Sequence, residues 1–147
     1  MKYLNYFKMT IPALSRNESF ARTAVSAFVS QLDPLVSQLS DIRASVSEAV
    51  TNCIVHAYDG KEEAGKITIT AKINEDTAYI RIKDSGCGIE NIKQAMEPLF
   101  TTKPEEERTG LGFAVMESCA DKVKVSSGKN KGTTVSLTFK IVKKEVL

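Results

Sequence analysis

Apolar and polar residues alternate one for one along KITITAKI (66–73), and the alternation returns along TAYIRIKD (77–84). A period of two puts every second side chain on one face, so both stretches are predicted strands with a single apolar face. NEDT between them is turn chemistry. Upstream, YLNYFKMTIPA (3–13) reads as a first strand and SRNESFARTAVSAFVSQL (15–32) as a helix. Ser15 or Asn17 is placed to cap that helix, and Phe20, Ala24, Ala27, Phe28 and Leu32 are expected to share its face. DPLVSQLSDIRASVSEAVTNCIVHAYDG (33–60) predicts a long second helix, with Asp33 as its cap, Pro34 at its first position and Gly60 past its end. Leu35, Leu39, Ile42, Val46, Ala49, Val50, Cys53, Ile54 and Ala57 recur along it at helical spacing.

DSGCGIENIKQAMEPLF (84–100) then reads as a loop, a short helix and another loop, and TTKPEEERTG (101–110) as a charged, mobile lid broken by Pro104. LGFAVMESCA (111–120) returns to a helix, and KVKVSSGKNKGTTVSLTFKIV (122–142) closes as a hairpin around a Gly- and Lys-rich turn. This order predicts a two-layer α+β sandwich, with helices on one face of a mixed, mostly antiparallel sheet.

The 147 residues, 42% of them hydrophobic, suit one domain spanning 1–147. A net charge of +2 leaves no strong footprint for nucleic acid. The lysines of KVKVSSGKNKG and of the tail KIVKKEVL read as solvated surface, so no direct nucleic-acid partner is expected. No apolar run is long enough for a bilayer, and the first residues lack a signal-peptide core. Three cysteines form no framework, and with a single histidine they make a zinc site improbable. They predict reduced thiols in a cytoplasmic protein, and without a bilayer-length run no membrane association is expected.

Three places break the pattern. On the second helix Glu48, Asn52 and His56 recur every four residues. Each step advances roughly 40° around a helix and about 6 Å along it, so the three form one polar stripe. A solvated flank accounts for such a stripe equally well. As a site, Asn52 would offer one carbonyl oxygen to Mg²⁺, an ion that keeps waters and takes its other ligands from phosphates. Glu48 would then accept a proton from an attacking hydroxyl. His56 alone reads as a helix-end packing residue.

In AYIRIKDSGCGI, Asp84 continues the core-facing side of its strand. A carboxylate there is costly unless something donates to it, and the exocyclic amine of adenine is one such donor. Gly86 and Gly88 would let the chain turn and a flat ring approach the backbone. By itself the motif is equally a plain strand-to-helix turn. In TTKPEEERTGLGF, Gly110 and Gly112 bracket a helix start, where backbone N–H groups bind anions. Lys103 and Arg108 of the preceding loop would reach phosphates and charge developing in transfer, although a charged surface loop is the commoner outcome. Neither glycine pair is a dinucleotide fingerprint, and no G-x-x-x-x-G-K-[ST] loop is present.

Together, E-x-x-x-N on a helix, D-x-G-x-G after a strand and a lid ending in G-x-G resemble the GHKL ATPase and kinase superfamily. NESFAR, VSEAVTN, PLFTTKPE and GLGF resemble the bacterial anti-sigma factor serine kinases, of the sporulation (sigma F) type, over essentially the whole chain. The resemblance implies ATP or ADP with Mg²⁺ as cofactors, Glu48 as general base and Asn52 as the metal ligand. It implies Asp84, Gly86, Gly88 and Thr133 at the adenine, and Thr102, Lys103, Arg108, Gly110, Leu111 and Gly112 on the lid and phosphate segment. Cys87 falls at a position the motif leaves free and is expected to confer sensitivity to thiol reagents. The implied partners are a sigma factor, which is held inactive, and an anti-anti-sigma protein, which is phosphorylated on serine. A homodimer is implied too, and Arg22 falls on a helix that meets both partners, where a solvated charge is the plain alternative. A nucleotide-gated sigma-binding module of the general-stress type, with little kinase activity, is the other reading; Glu48 speaks against it, since a gate needs no base. The ATP-binding half of a histidine kinase is disfavoured because no phosphoaccepting helical hairpin precedes the first strand.

Overall fold

A computed structural model describes residues 3–58, 65–89, 92–97 and 112–142. Five strands form one sheet in the order β1-β2-β3-β5-β4: β1 Asn5–Pro12, β2 Lys66–Ile73, β3 Thr77–Asp84, β4 Lys122–Ser127 and β5 Thr133–Lys140. Every described pairing is antiparallel. The helices are α1 Asn17–Val29, α2 Val36–Asn52, a four-residue α3 Ile92–Ala95 and α4 Gly112–Cys119. α1 packs on α2, and α2 on α4. The expected α+β sandwich is observed, and β2 and β3 keep their predicted bounds.

Alternation decides the two faces of the sheet. Ile67, Ile69, Ala71 and Ile73 of β2, Ala78, Ile80 and Ile82 of β3 and Val135, Leu137 and Phe139 of β5 point inward and are buried. They meet Val25 and Val29 of α1, Ile42, Val46 and Val50 of α2 and Met116 of α4 in one core. The opposite face is open. Its strand positions are Tyr6, Lys8 and Thr10, then Lys66, Thr68, Thr70 and Lys72, then Thr77, Tyr79, Arg81 and Lys83, then Thr134, Ser136, Thr138 and Lys140, and at the far edge Lys122, Lys124 and Ser126.

Four local expectations are corrected. The buried stripe of α1 is Ala21, Val25 and Val29, continued by Leu32, while Phe20 is 53% exposed and Ala27 is exposed. The helix carries two neighbouring apolar stripes, and the one with small and β-branched side chains faces the core. Phe28 lies at the boundary, where its ring packs edge-on against Phe7 at 4.9 Å. Asp33 does not cap α2: it adopts a left-handed conformation (φ 51°) after the 3₁₀ turn Ser30–Leu32, and the helix starts at Val36 beyond Pro34. Likewise the N-cap position of α1 falls on Arg16, without a side-chain cap bond, and Asn17 donates to the Pro12 carbonyl instead. Finally, α2 does not run on to Ala57 as a regular helix. It widens at Cys53 into a π-helical turn, Cys53–Ala57.

Candidate nucleotide and phosphoryl-transfer site

The widened turn follows directly after Asn52. Single π turns inside helices recur at functional sites because they displace side chains and carbonyls from regular register. Here the displaced Ala57 carbonyl accepts from Cys87 N at 2.9 Å, and the His56 carbonyl faces the Cys87 thiol at 3.3 Å. Tyr58, next in the chain, donates its hydroxyl to the Lys66 carbonyl (2.6 Å) and accepts from Ser85 N (2.7 Å). The turn therefore ties the end of α2 to the loop after β3.

Asp84 ends β3 on the core side and is 5% exposed. Its Oδ1 accepts from Gly86 N (3.0 Å) and Thr133 N (3.1 Å), and its Oδ2 from the Cys53 thiol (3.4 Å). Burial raises its pKa above the ordinary carboxyl value, against the lowering effect of these bonds. The Cys53 thiol is pushed up in turn, by its own burial first and by the neighbouring carboxylate second. Asp84 therefore sits at the inner wall of the site, held in orientation by two main-chain donors and one thiol.

Two glycines answer to close approach. A Cβ on Gly86 would lie 2.2 Å from the Ala57 carbonyl oxygen, and Gly88 has φ +76° with the Gly128 carbonyl 1.8 Å from a Cβ position. The hairpin turn between β4 and β5 is bonded to the same loop, through Asn130 N to the Cys87 carbonyl (2.6 Å) and Gly132 N to the Gly86 carbonyl (3.2 Å). Ser127 locks this corner. Its hydroxyl accepts from Ile89 N (2.7 Å) and reaches the Gly132 carbonyl (2.9 Å) and Thr133 Oγ1 (2.8 Å). One hydroxyl has one proton, so with Ser127 donating to Gly132 the Thr133 hydroxyl donates to Ser127. Thr133 thus meets Asp84 through its amide and Ser127 through its hydroxyl.

At the other end of the site, α4 begins at Gly112 directly against the polar stripe of α2. A Cβ placed on Gly112 would stand 3.2 Å from Glu48 Oε2 and 3.4 Å from Asn52 Oδ1. The Asn52 side-chain nitrogen is buried and has no hydrogen-bond partner among the described residues. A buried amide left this way is costly in a finished core, and it is in place for an oxygen-rich ligand. A carboxamide oxygen beside one carboxylate is a donor set suited to Mg²⁺ that draws its remaining ligands from phosphates and water. Among the described residues no three His, Cys, Asp or Glu side chains cluster to hold a metal without such help. His56 lies half-buried in the π turn.

The structure thus brings Glu48, Asn52 and Gly112 together at one end and Asp84, Gly86, Gly88 and Thr133 at the other. Arg22 stands apart on α1, pairing with Glu18 at 2.6 Å and reaching the Ser47 hydroxyl at 3.4 Å. Thr102, Lys103, Arg108, Gly110 and Leu111 lie outside the described residues. Cys53, Tyr58 and Ser127 were not singled out from sequence. Cys53 reads there as one more apolar residue on a helix face, and only the fold, which brings its thiol 3.4 Å from Asp84 Oδ2, sets it apart.

A family model described as histidine kinase-like ATPase domain matches residues 11–139. The anti-sigma F factor of Thermoanaerobacter sp. (strain X514) is 50% identical over 138 residues, covering 94% of this chain and 95% of the relative. The chain belongs to the anti-sigma F factor family. Its relative in Anoxybacillus flavithermus is 48% identical over 97% of both chains. Among solved structures, the RsbU and RsbW domains of Rv1364c from Mycobacterium tuberculosis align with TM-score 0.68 at 18% identity, covering 97% of this chain and 35% of that one. The catalytic domain of the histidine kinase ThkA aligns with TM-score 0.58 at 16% identity, over 94% and 97%. At such identities these two bear on the fold alone. Membership of this family makes the chain a nucleotide-binding fold, and no described helix is long and apolar enough to cross a membrane.

Proposed function

We propose that this chain is an anti-sigma factor of the sporulation (sigma F) type that also phosphorylates a serine of its anti-anti-sigma protein, with ATP as donor and Mg²⁺ as cofactor. The observation that carries the kinase half is the meeting of Glu48, Asn52 and the first residue of α4 within 3.2–3.4 Å of one point. A base, a metal ligand and a helix start are the parts that phosphoryl transfer needs, since it asks for positioning and charge stabilisation and no covalent intermediate.

In this reading Asp84 accepts the exocyclic amine of adenine on its Oδ2 side, while Gly86, Gly88 and the Thr133 corner shape the ring's slot. Glu48 accepts the proton of the partner's serine hydroxyl as that oxygen bonds to the γ-phosphorus and the bond to the bridging oxygen of the departing ADP breaks. Asn52 would hold Mg²⁺, which when bound neutralises charge on the phosphate oxygens. Thr102, Lys103, Arg108, Gly110 and Leu111 keep the lid and phosphate roles that family resemblance gives them. Arg22, one-third exposed beside Glu18, is the proposed contact for the sigma factor and the anti-anti-sigma protein. The protein acts as a homodimer in the cytoplasm.

Intact-mass analysis with Mg-ATP and the anti-anti-sigma protein of the same genome tests this. Wild type adds one phosphate to a partner serine; Glu48→Gln still binds ATP and slows transfer at least about a hundredfold, the scale of a lost general base. Normal transfer by the variant removes Glu48 from the role of base. ATP binding without transfer by either protein supports the nucleotide-gated module instead.

A further inference from the structure

The open face of the sheet carries all of its charge in one sign. Every charged side chain that projects there from the five strands is a lysine or arginine, although the whole chain has 18 acidic residues and a net charge of only +2. Among the described residues, Asp84 is the one acidic residue that belongs to a strand, and it points to the core. A face made merely for solubility intersperses both signs. None of these cations is paired with a carboxylate among the described residues.

Register sorts the cations from one another. Across the sheet Lys8 stands opposite Thr70, Thr70 opposite Arg81, Arg81 opposite Ser136 and Ser136 opposite Lys124. Cations alternate with hydroxyls along this line, so no two like charges are direct cross-strand neighbours, where they would repel most. On the β3-β5-β4 side the alternation makes a trough of about 430 Å³. Its floor is Thr134, Ser136 and Thr138 of β5; its walls are Arg81 on β3 and Lys122 and Lys124 on β4. The walls are two strand spacings apart, roughly 10 Å, which admits one extended chain. Successive wall lysines are two residues apart, roughly 7 Å, the repeat at which an extended peptide presents alternate side chains.

We propose that this trough is a docking surface for an extended acidic segment of a partner protein, lying along β5 with carboxylates at alternate positions. The hydroxyl floor supplies donors to those carboxylates and the walls supply charge. A single-stranded nucleic acid is the poorer fit. Such ligands rely on rings that stack with bases, and no aromatic side chain lines the trough. Tyr79, on the same face, is already packed edge-on against Tyr3 at 5.9 Å. The trough lies on the opposite face of the sheet from α2 and α4, apart from the side chains of Glu48, Asn52 and Asp84.

Fluorescence anisotropy with the full chain tests the proposal, using a labelled peptide of alternating glutamate and serine, a labelled oligothymidylate and a short duplex DNA as probes. The peptide binds, and weakens as salt is raised. The double substitution Arg81→Glu with Lys124→Glu lowers its affinity by at least about tenfold, the factor for 1.4 kcal/mol. Neutralisation by Lys122→Gln with Lys124→Gln lowers it less. Lys8→Glu, two strands beyond Arg81, has the smallest effect. Unchanged melting temperature and ATP affinity in each variant certify the fold. The proposal is overturned if the peptide fails to bind at low salt, if the double charge reversal leaves its affinity unchanged, or if either nucleic acid binds more tightly than the peptide.

Discussion

Asp84 has donors on both carboxylate oxygens, yet burial still makes its ionisation unfavourable. The sign of the consequence follows from linkage. Because the folded-state pKa is raised, the group's contribution to stability is fully present below its ordinary value of 3.8 and is lost as pH rises through the raised value. Asp84→Asn keeps an oxygen for the Gly86 and Thr133 amides and cannot ionise. It is expected to melt a few degrees higher than wild type near neutral pH, with the gap closing as pH falls below the ordinary carboxyl value. ATP affinity drops in the same variant by roughly tenfold to a hundredfold, the scale of a hydrogen bond to a charged group. Thermal melts across pH, with calorimetric titration of ATP, check both. A variant that melts lower than wild type at neutral pH contradicts the account. The position of Asp84 was legible because strand alternation assigns each residue a face, and a carboxylate on the wrong face stands out. The thiol that meets it was not legible. A cysteine on an apolar helix stripe is an ordinary core residue until the fold shows what lies opposite.

At the scale of elements, α2 and its π turn separate what periodicity can tell from what it cannot. The apolar recurrence predicted the buried residues from Ile42 to Ile54 well, since they contact the core whichever helical hydrogen bonds are made. It carried no sign of the widening at Cys53, because a π turn changes the carbonyl partners and leaves the composition unaltered. The same ambiguity rotated the expected face of α1: two apolar stripes one residue apart differ in pattern by nothing, and packing against the sheet chose the narrower side chains. What the π turn delivers is the Ala57 carbonyl at Cys87 N, with no space for a methyl group on Gly86 between them. Gly86→Ala therefore forces the turn and the loop apart. It is expected to lower stability by about 1–3 kcal/mol, the cost of overpacking a rigid contact, and to weaken ATP binding as well. Urea unfolding with unchanged m-value, alongside ATP titration, measures this. A neutral effect on both requires that Ala57 and Gly86 are further apart in solution.

Over the whole molecule, the site is assembled from segments distant in the chain: the end of α2, the loop after β3, the start of α4 and the hairpin turn before β5. The last two were legible only through motif order, since no local pattern places Gly112 beside Glu48 or Thr133 beside Asp84. Short main-chain bonds hold the end of α2, the loop after β3 and the hairpin turn together, from Cys87 to Ala57, Asn130 to Cys87 and Gly132 to Gly86. A ligand lying between Asp84 and Asn52 ties these segments to one another, and binding to the native state alone raises stability by mass action. At a hundred times its dissociation constant ATP contributes about 2.7 kcal/mol. The rise in melting temperature is expected in wild type and is reduced, to about 0.4–1.4 kcal/mol of stabilisation, at the same concentration in Asp84→Asn. Hydrogen exchange should slow at the amides of Gly86, Cys87, Gly132 and Thr133, which frame the adenine slot. The β1–β2 ladder lies at the other edge of the sheet and has no part in the slot, so its exchange by local opening should not change. Protection of that ladder in place of the slot would put the nucleotide elsewhere on the molecule and remove Asp84 from its recognition.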